Sequence, residues 1–478
     1  MIAYKSIDSL QGPLVFIHNT QKIGYNELVL ITDPRGNQTF GQVIAIEEQT
    51  VVVQLFNNSA GLQIKDAEAV FMGESKKIAL SPTILGRTFN GLGNPIDDLP
   101  QIEGEQVDIN FSLEQTKDQK VLQDPLPFHY RDINGQAINP ARRAEPQDFI
   151  QTGISSIDLT NSIVKGQKIP IFSGSGLPDM EILTQIAKQA KTRGKDDKFV
   201  VVVATMGISN DQYQYLKAEL ESAGALDRCV MFVNLASDPV VERILTPRLA
   251  LTVSEYLAYD LDFSVLTLMY DMTNYANAMR EISTAKKEIP GRAGYPAYLY
   301  TDLAMLYERA GMIEGKKGSI TQVPVLTMPN DDNTHPIPDL TGYITEGQIL
   351  LDRTYHKRGY FPCIEILGSL SRLKDKGQGE GKTREDHSKV ADQMFALVAE
   401  SNKQEELALV LGQDSLTETG RKYLKFKQAY LSKFLNQGST NRDIIETLDM
   451  AWDLFSILPR EELKKVNDDL ISKYGKGI

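Results

Sequence analysis

Two cysteines, one tryptophan and five histidines are all that 478 residues provide of these types. Cys229 and Cys363 are too few for a disulfide framework and are expected as two buried thiols in a reducing compartment. The histidines show no paired spacing, so no metal cluster is expected. Long hydrophobic runs are missing as well. Phe199-Val-Val-Val-Val-Ala is among the longest, far short of the roughly 20 residues of a membrane span. Direct membrane insertion is therefore not expected, and the opening Met1-Ile-Ala-Tyr-Lys does not read as a signal peptide. Nor is there an excess of positive charge. Lys and Arg total 51 against 63 Asp and Glu, a formal net charge of −12. That balance argues against binding nucleic acid over a large surface.

What is present is an ordinary globular composition, 41% hydrophobic and 24% charged, in a chain too long for one ordinary core. Residues 1–75 read as short strands: Gly12-Pro-Leu-Val-Phe-Ile, Glu27-Leu-Val-Leu-Ile, Phe40 to Ile46 and Val51-Val-Val-Gln-Leu-Phe. Turn signals such as Asp33-Pro-Arg-Gly separate them, and no helical period intervenes. A small β-barrel is expected, since closure removes exposed edges. Residues 76–385 are expected to form an α/β core, since strand and helix patterns alternate from about Asn139 to Ile366, which predicts a mainly parallel sheet. Within it, 111–126 is polar and charged and reads as a surface insertion. Residues 386–478 are helical in period, and a C-terminal helical domain is expected. Val390, Ala391, Met394, Phe395 and Val398 form one stripe, followed by Leu407 to Leu411. Tyr423, Phe426 and Tyr430 form another, then Ile444, Ile445, Leu448, Trp452 and Phe455, and all these stripes are expected to be core. Pro459-Arg-Glu-Glu-Leu is expected to start a final helix.

The α/β region contains a phosphate loop without its chemistry. Ile169 to Phe172 is a short apolar strand, and a helix with Ile182, Leu183, Ile186, Ala187 and Ala190 on one face follows. Between them lie Ser173, Gly174, Ser175, Gly176, Leu177, Pro178, Asp179 and Met180. In the Gly-x-x-x-x-Gly-Lys-[Ser/Thr] frame, Asp179 stands where a lysine meets phosphate and Met180 where a hydroxyl binds magnesium. Pro178 removes an N–H from a cradle made of N–H groups. Ser264-Val-Leu-Thr-Leu-Met-Tyr-Asp271 ends a strand on a carboxylate. Asp271 is Walker-B-like, or else it caps the helix beginning near Thr273. The loop after the next strand, Thr205 to Asn210, holds no carboxylate to orient an attacking water; the first acid is Asp211. Hydrolysis of ATP in the chain's own pocket is not expected. A second glycine-rich stretch, Gly377-Gln-Gly-Glu-Gly-Lys-Thr383, is out of frame and reads as a flexible surface loop. Just before it, Ile366-Leu-Gly-Ser-Leu-Ser-Arg372 exposes an arginine that, on the residues alone, is a plain surface residue.

The chain resembles the B subunit of V-type and archaeal-type rotary ATPases, the non-catalytic partner in an alternating hexamer. The resemblance rests on Gly86-Arg-Thr-Phe-Asn-Gly-Leu-Gly-Asn-Pro, Phe149 to Asp158, Gly166-Gln-Lys-Ile-Pro-Ile-Phe-Ser-Gly-Ser-Gly-Leu-Pro, Asn234-Leu-Ala-Ser-Asp-Pro and Asp271-Met-Thr-Asn-Tyr-Ala. Pro290-Gly-Arg-Ala-Gly-Tyr-Pro, Asp339 to Gln348 and Ser369-Leu-Ser-Arg-Leu also fit, in family order along almost the whole chain. The resemblance implies no independently bound cofactor, with ATP or ADP and Mg2+ at the interface with the catalytic A subunit. It implies three copies of each subunit, central and peripheral stalk partners, and a peripheral complex on the cytoplasmic side of a membrane coupled to ion transport. It assigns the arginine finger to Arg372 and makes Ser371, Arg292 and Tyr343 interface candidates. Three departures stand out. The 111–126 stretch is long for the family, Ala293 replaces a usual second arginine, and Asp179 stands where histidine is frequent. Two rivals remain open: a self-sufficient hexameric ATPase, which needs a lysine at 179, and an RNA translocase, which needs a basic, aromatic-lined barrel.

Overall fold

A computed structural model describes all residues except 1, 6, 19–21, 48, 49, 58–60, 103–128, 195–197, 476 and 478. The expected surface insertion at 111–126 therefore lies outside the described residues.

The N-terminal region is a seven-stranded antiparallel sheet. Its terminal strands, Ile2–Tyr4 and Ile7–Gln11, lie at opposite edges of the strand order yet are separated in the chain by only residues 5 and 6. Chain continuity thus brings the two edges together and rolls the sheet into a barrel. Val15, Ile17, Val29, Ile31, Val43, Val51, Val53 and Phe71 fill its interior. The Asp33 turn is closed by its own carboxylate, which accepts from Asn37 Nδ2 and from the N–H groups of Arg35 and Asn37. Ile2–Tyr4, Ile7–Gln11 and Glu68–Ser75 are strands that hydrophobic runs alone do not reveal.

The central sheet runs in the order Ile364–Ser371, Gly347–Leu351, Ile171–Gly174, Ser319–Met328, Ser264–Tyr270, Phe199–Ile208, Cys229–Leu235 and Thr88–Asn90. Seven of these strands are parallel, and the edge strand Ile364–Ser371 is antiparallel to its neighbour. The apolar run at Phe199 is buried on both faces, as a period of two demands. Val200, Val202, Ala204 and Met206 pack under the helices Val240–Tyr259 and Met272–Ala285. Val201 and Val203 pack under Asp179–Gln189 and Asn210–Ser222. Cys229 and Cys363 are buried free thiols, both pushed up to about 12 by burial.

The C-terminal region packs the helices His387–Leu411, Glu418–Ala429, Ile444–Phe455 and Asp468–Tyr474. Val390, Met394, Tyr423, Phe426, Tyr430, Leu448, Trp452 and Phe455 form its core. Phe395 is not part of that core, because it points outward from the helix. Leu407 to Leu411 also depart from expectation. Leu409 and Val410 are 82% and 81% exposed, since the helix runs beyond the bundle that covers its first half. The final helix begins at Asp468, where Asn467 accepts from Leu470 N at 3.0 Å, and Pro459 precedes only a short 3-10 turn. The Gly377 loop is not a free surface loop either. Gly377 and Gln378 are buried, and Gln378 Nε2 donates to Leu159 O and Ser162 Oγ.

Candidate functional site: a closed phosphate loop and an open arginine

The phosphate loop leaves the strand Ile171–Gly174 and enters the helix Asp179–Gln189 through a turn in which Leu177 N donates to Gly174 O at 3.1 Å. Pro178 occupies the cap position with no side-chain cap bond. Met180 is buried in apolar packing with Leu177, Ile182 and Leu183. Asp179 is also buried, and its Oδ1 accepts from Met180 N at 2.8 Å and Tyr270 Oη at 3.0 Å. Burial holds the Asp179 carboxyl above the usual range, against the opposing hydrogen bonds of Ser173 and Tyr270. The lysine and hydroxyl positions are thus filled by an acid and a thioether, both turned into the protein.

The mouth of the loop is filled from elsewhere in the chain. Arg353 donates to both carboxylate oxygens of Asp331, at 2.6 and 2.7 Å, and to Ser175 O at 2.9 Å. A Cβ on Gly174 would lie 1.9 Å from Asp331 Oδ1, so only glycine admits the pair at that distance. The Arg353 hydrogen bonds hold Asp331 below the usual carboxylate range. Sequence reasoning missed Tyr270, Asp331 and Arg353 as parts of this site. None carries a local motif, and Arg353 reaches Ser175 across 178 positions.

Asp271 is buried at the N-terminus of Met272–Ala285 and caps it, accepting from Thr273 N at 2.8 Å. Its other bonds come from Thr327 N at 3.2 Å and Thr327 Oγ1 at 2.7 Å. Burial pushes it up to about 6, opposed by the Thr327 bonds and reinforced by the charge of Asp179. Where a water-orienting acid would stand, the strand continues through buried Ile208, and Ser209 caps the next helix with Gln212 in a reciprocal capping box. The space beside Gly207 is taken by Arg243, and Asn234 Oδ1 accepts from Gly207 N and Arg243 Nε. Asp211 is exposed on the helix. A magnesium–triphosphate group needs a lysine, a hydroxyl and a carboxylate with free lone pairs. The residues of this loop do not fit one.

Arg372 is built differently. It follows the last residue of the edge strand, is exposed, and has no carboxylate within ion-pair distance among the described residues. Its N–H donates to Glu346 O at 3.0 Å, and Nη1 lies 3.5 Å from Thr345 O. Ser371, expected at the interface with it, is instead buried between Gln167 Nε2 at 2.9 Å and Ser162 O at 3.3 Å. Strand alternation turns it inward when Arg372 turns outward. Arg292 is exposed but already neutralised by Asp339 at 2.7 Å, and it donates to Thr334 O. Tyr343 is 74% exposed on Pro336–Ile344, the helix that carries Asp339.

The register places Arg372 far from the chain's own phosphate loop. Ser371 pairs with Gly347 at the start of its strand, and Glu346 N donates to Lys168 O. Arg372 therefore lies level with Lys168, which bridges Gln322, whereas Gly174 pairs with Met328. Six residues of extended chain separate the two levels, about 20 Å. The fold and this site define a three-part chain around a nucleotide-binding-type α/β domain, whose own phosphate loop is closed and whose exposed Arg372 lies at the opposite end of the sheet.

The comparisons agree with this architecture. Residues 9–73 match the β-barrel domain of the ATP synthase alpha/beta family, residues 153–371 its nucleotide-binding domain, and residues 376–475 the C-terminal domain of V and A type ATP synthase. Among solved structures the chain is similar to the ATP synthase subunit NeqB from Nanoarcheaum equitans. The two are 37% identical, the match covers 93% of this chain and 98% of that one, and the TM-score is 0.70. The chain belongs to the ATP synthase alpha/beta family, in its V and A type branch.

Proposed function

We propose that this chain is the non-catalytic B subunit of a rotary V/A-type ATPase. It alternates with catalytic A subunits in a hexamer and supplies Arg372 in trans to a nucleotide held by its neighbour. The observation that carries the reading is Arg372 itself: an exposed guanidinium with no carboxylate partner among the described residues, at the end of the sheet its own loop does not share. Such a charge, with its planar donor fork, suits phosphate oxygens. The closed loop supports the same reading, since Asp179, Met180 and the Arg353–Asp331 pair stand where a nucleotide's phosphates would lie.

In this reading ATP or ADP and Mg2+ sit on the catalytic subunit's loop, and the metal neutralises charge between phosphates there. Arg372 donates to the γ-phosphate oxygens and offsets the negative charge that develops during transfer. Arg292 and Tyr343 serve as further contacts at the subunit boundary. Central and peripheral stalk subunits complete a peripheral complex on the cytoplasmic side of the membrane, coupled to ion transport. No helix among the described residues is long and apolar enough to cross a membrane. The test is reconstitution with the catalytic subunit. Arg372→Ala should leave hexamer assembly intact and lower hydrolysis by about 10³-fold or more, the range found for arginine fingers. Retained turnover would refute the role.

A further inference from the structure

The arginine is exposed, but the chain that carries it is held from inside. We propose that Gln167 and Ser371 are positioning residues that set the location of Arg372; the proposal rests on the reading of Arg372 as a finger. Gln167 is fully buried. Its Nε2 donates to Ser371 Oγ at 2.9 Å and to Glu346 O at 3.3 Å, while its Oε1 accepts from Val164 N at 3.0 Å. Only a carboxamide presents an acceptor and two donors at once, so neither Glu nor Met can make this set of bonds. The Gln167 backbone is itself fixed, because Gln322 N donates to Gln167 O at 2.9 Å from the central strand Ser319–Met328. A rigid strand of the core is thereby linked through one side chain to the residue before Arg372.

The link is needed because the edge strand's own ladder is broken. Pairing jumps from Gln348/Leu370 to Leu350/Glu365, so residues 366–369 bulge out of register. Beyond the bulge, Leu370 and Ser371 are paired on one side only, at a sheet edge. The missing restraint is supplied by side chains. Ser371 Oγ bridges Gln167 and Ser162 O. Glu346, whose carbonyl receives Arg372 N–H, is clamped by Lys168 through both its carboxylate and its backbone: Lys168 Nζ lies 2.8 Å from Oε1, Lys168 N donates to Oε2 at 2.7 Å, and Glu346 N donates to Lys168 O at 2.8 Å. The Arg372 side chain has only the 3.5 Å contact to Thr345 O within the described residues, so its backbone is fixed and its guanidinium is left for a partner's ligand. A displacement of about 1 Å in such a group costs up to about 10²-fold in rate.

The experiment compares reconstituted complexes carrying Gln167→Met, Ser371→Ala, Arg372→Ala and each double variant with Arg372→Ala. Single-turnover hydrolysis, KM for ATP and hexamer assembly are measured. Gln167→Met and Ser371→Ala should each lower kcat about tenfold or more while KM stays unchanged, the signature of an interaction made in the transition state. The double variants should be no slower than Arg372→Ala alone, because groups acting through one residue are not additive. Unchanged turnover in assembled Ser371→Ala complexes overturns this proposal alone, and so do double variants slower than Arg372→Ala by the full factor of the single change. If Gln167→Met fails to assemble, the Ser371→Ala pair decides. Turnover retained by Arg372→Ala overturns both this proposal and the finger reading.

Discussion

The two ends of the central sheet are opposites. At the loop end, the charged side chains around the loop are engaged inside the chain. Asp271 accepts three hydrogen bonds, Asp179 is buried against Tyr270, and Arg353 is spent on Asp331 and Ser175. At the other end, Arg372 is exposed and without a carboxylate partner among the described residues, although its backbone is held firmly. In this chain the groups with unmet capacity for a ligand lie away from the phosphate loop. Satisfied polar groups have nothing left to offer a ligand. A charge that the fold leaves unneutralised does.

The sharpest way to break this contrast is at Arg372. Arg372→Lys keeps the charge but loses the planar fork, and should recover only part of the roughly 10³-fold loss expected of Arg372→Ala. Full recovery in a steady-state hydrolysis assay would reduce the residue to a point charge. At the loop end the expected effect is on stability rather than rate. Asp271→Ala leaves Thr273 N, Thr327 N and Thr327 Oγ1 without their acceptor and should lower unfolding free energy by about 2 kcal/mol. Denaturant unfolding measures that loss. A large fall in turnover at unchanged assembly would instead point to a metal role for Asp271.

A pH effect of about 1 kcal/mol per pH unit comes next. Burial holds His387 down to about 4, so it is neutral in the folded chain, bonded to Thr383 Oγ1 and Leu159 O. Below its ordinary value near 6.5 the unfolded chain binds the extra proton, and stability falls as pH drops from there toward about 4. Replacing it by glutamine should remove roughly 1 kcal/mol per pH unit of slope over that window, visible in unfolding curves between pH 6.5 and 5. An unchanged slope would show that His387 is not the group responsible. The smallest effect is expected at Arg292, an exposed arginine that already has a carboxylate partner. Arg292 already has Asp339, and Arg292→Ala should change stability by less than about 1 kcal/mol, as exposed ion pairs do. A turnover loss as large as that of Arg372→Ala would erase the distinction between a paired and an unpaired guanidinium.

Much of the fold was legible. The Phe199 strand, the Asn210–Ser222 helix closed near Gly224 and the helix starting at Asp271 follow from period, capping and turn chemistry. Short or polar strands were not, and neither was exposure at the far end of a long helix. Leu407 to Leu411 looks like core in one dimension, but among the described residues no second helix covers it. The Gly377 stretch looks like a free loop, but Gln378 is bonded to Ser162 across 216 positions.

By itself the sequence determined which groups are missing from the phosphate loop, because the absence of a lysine or a hydroxyl needs no coordinates. It also determined the order of barrel, α/β core and helices, since periodicity is a local property. Tertiary structure alone decided what fills the loop, that Asp271 is bonded by Thr327, that Ser371 faces inward to Gln167 across 204 positions, and that Arg372 lies at the opposite end of the sheet from Gly174. Each of these depends on which distant segments pair and in what register, and no local pattern encodes that.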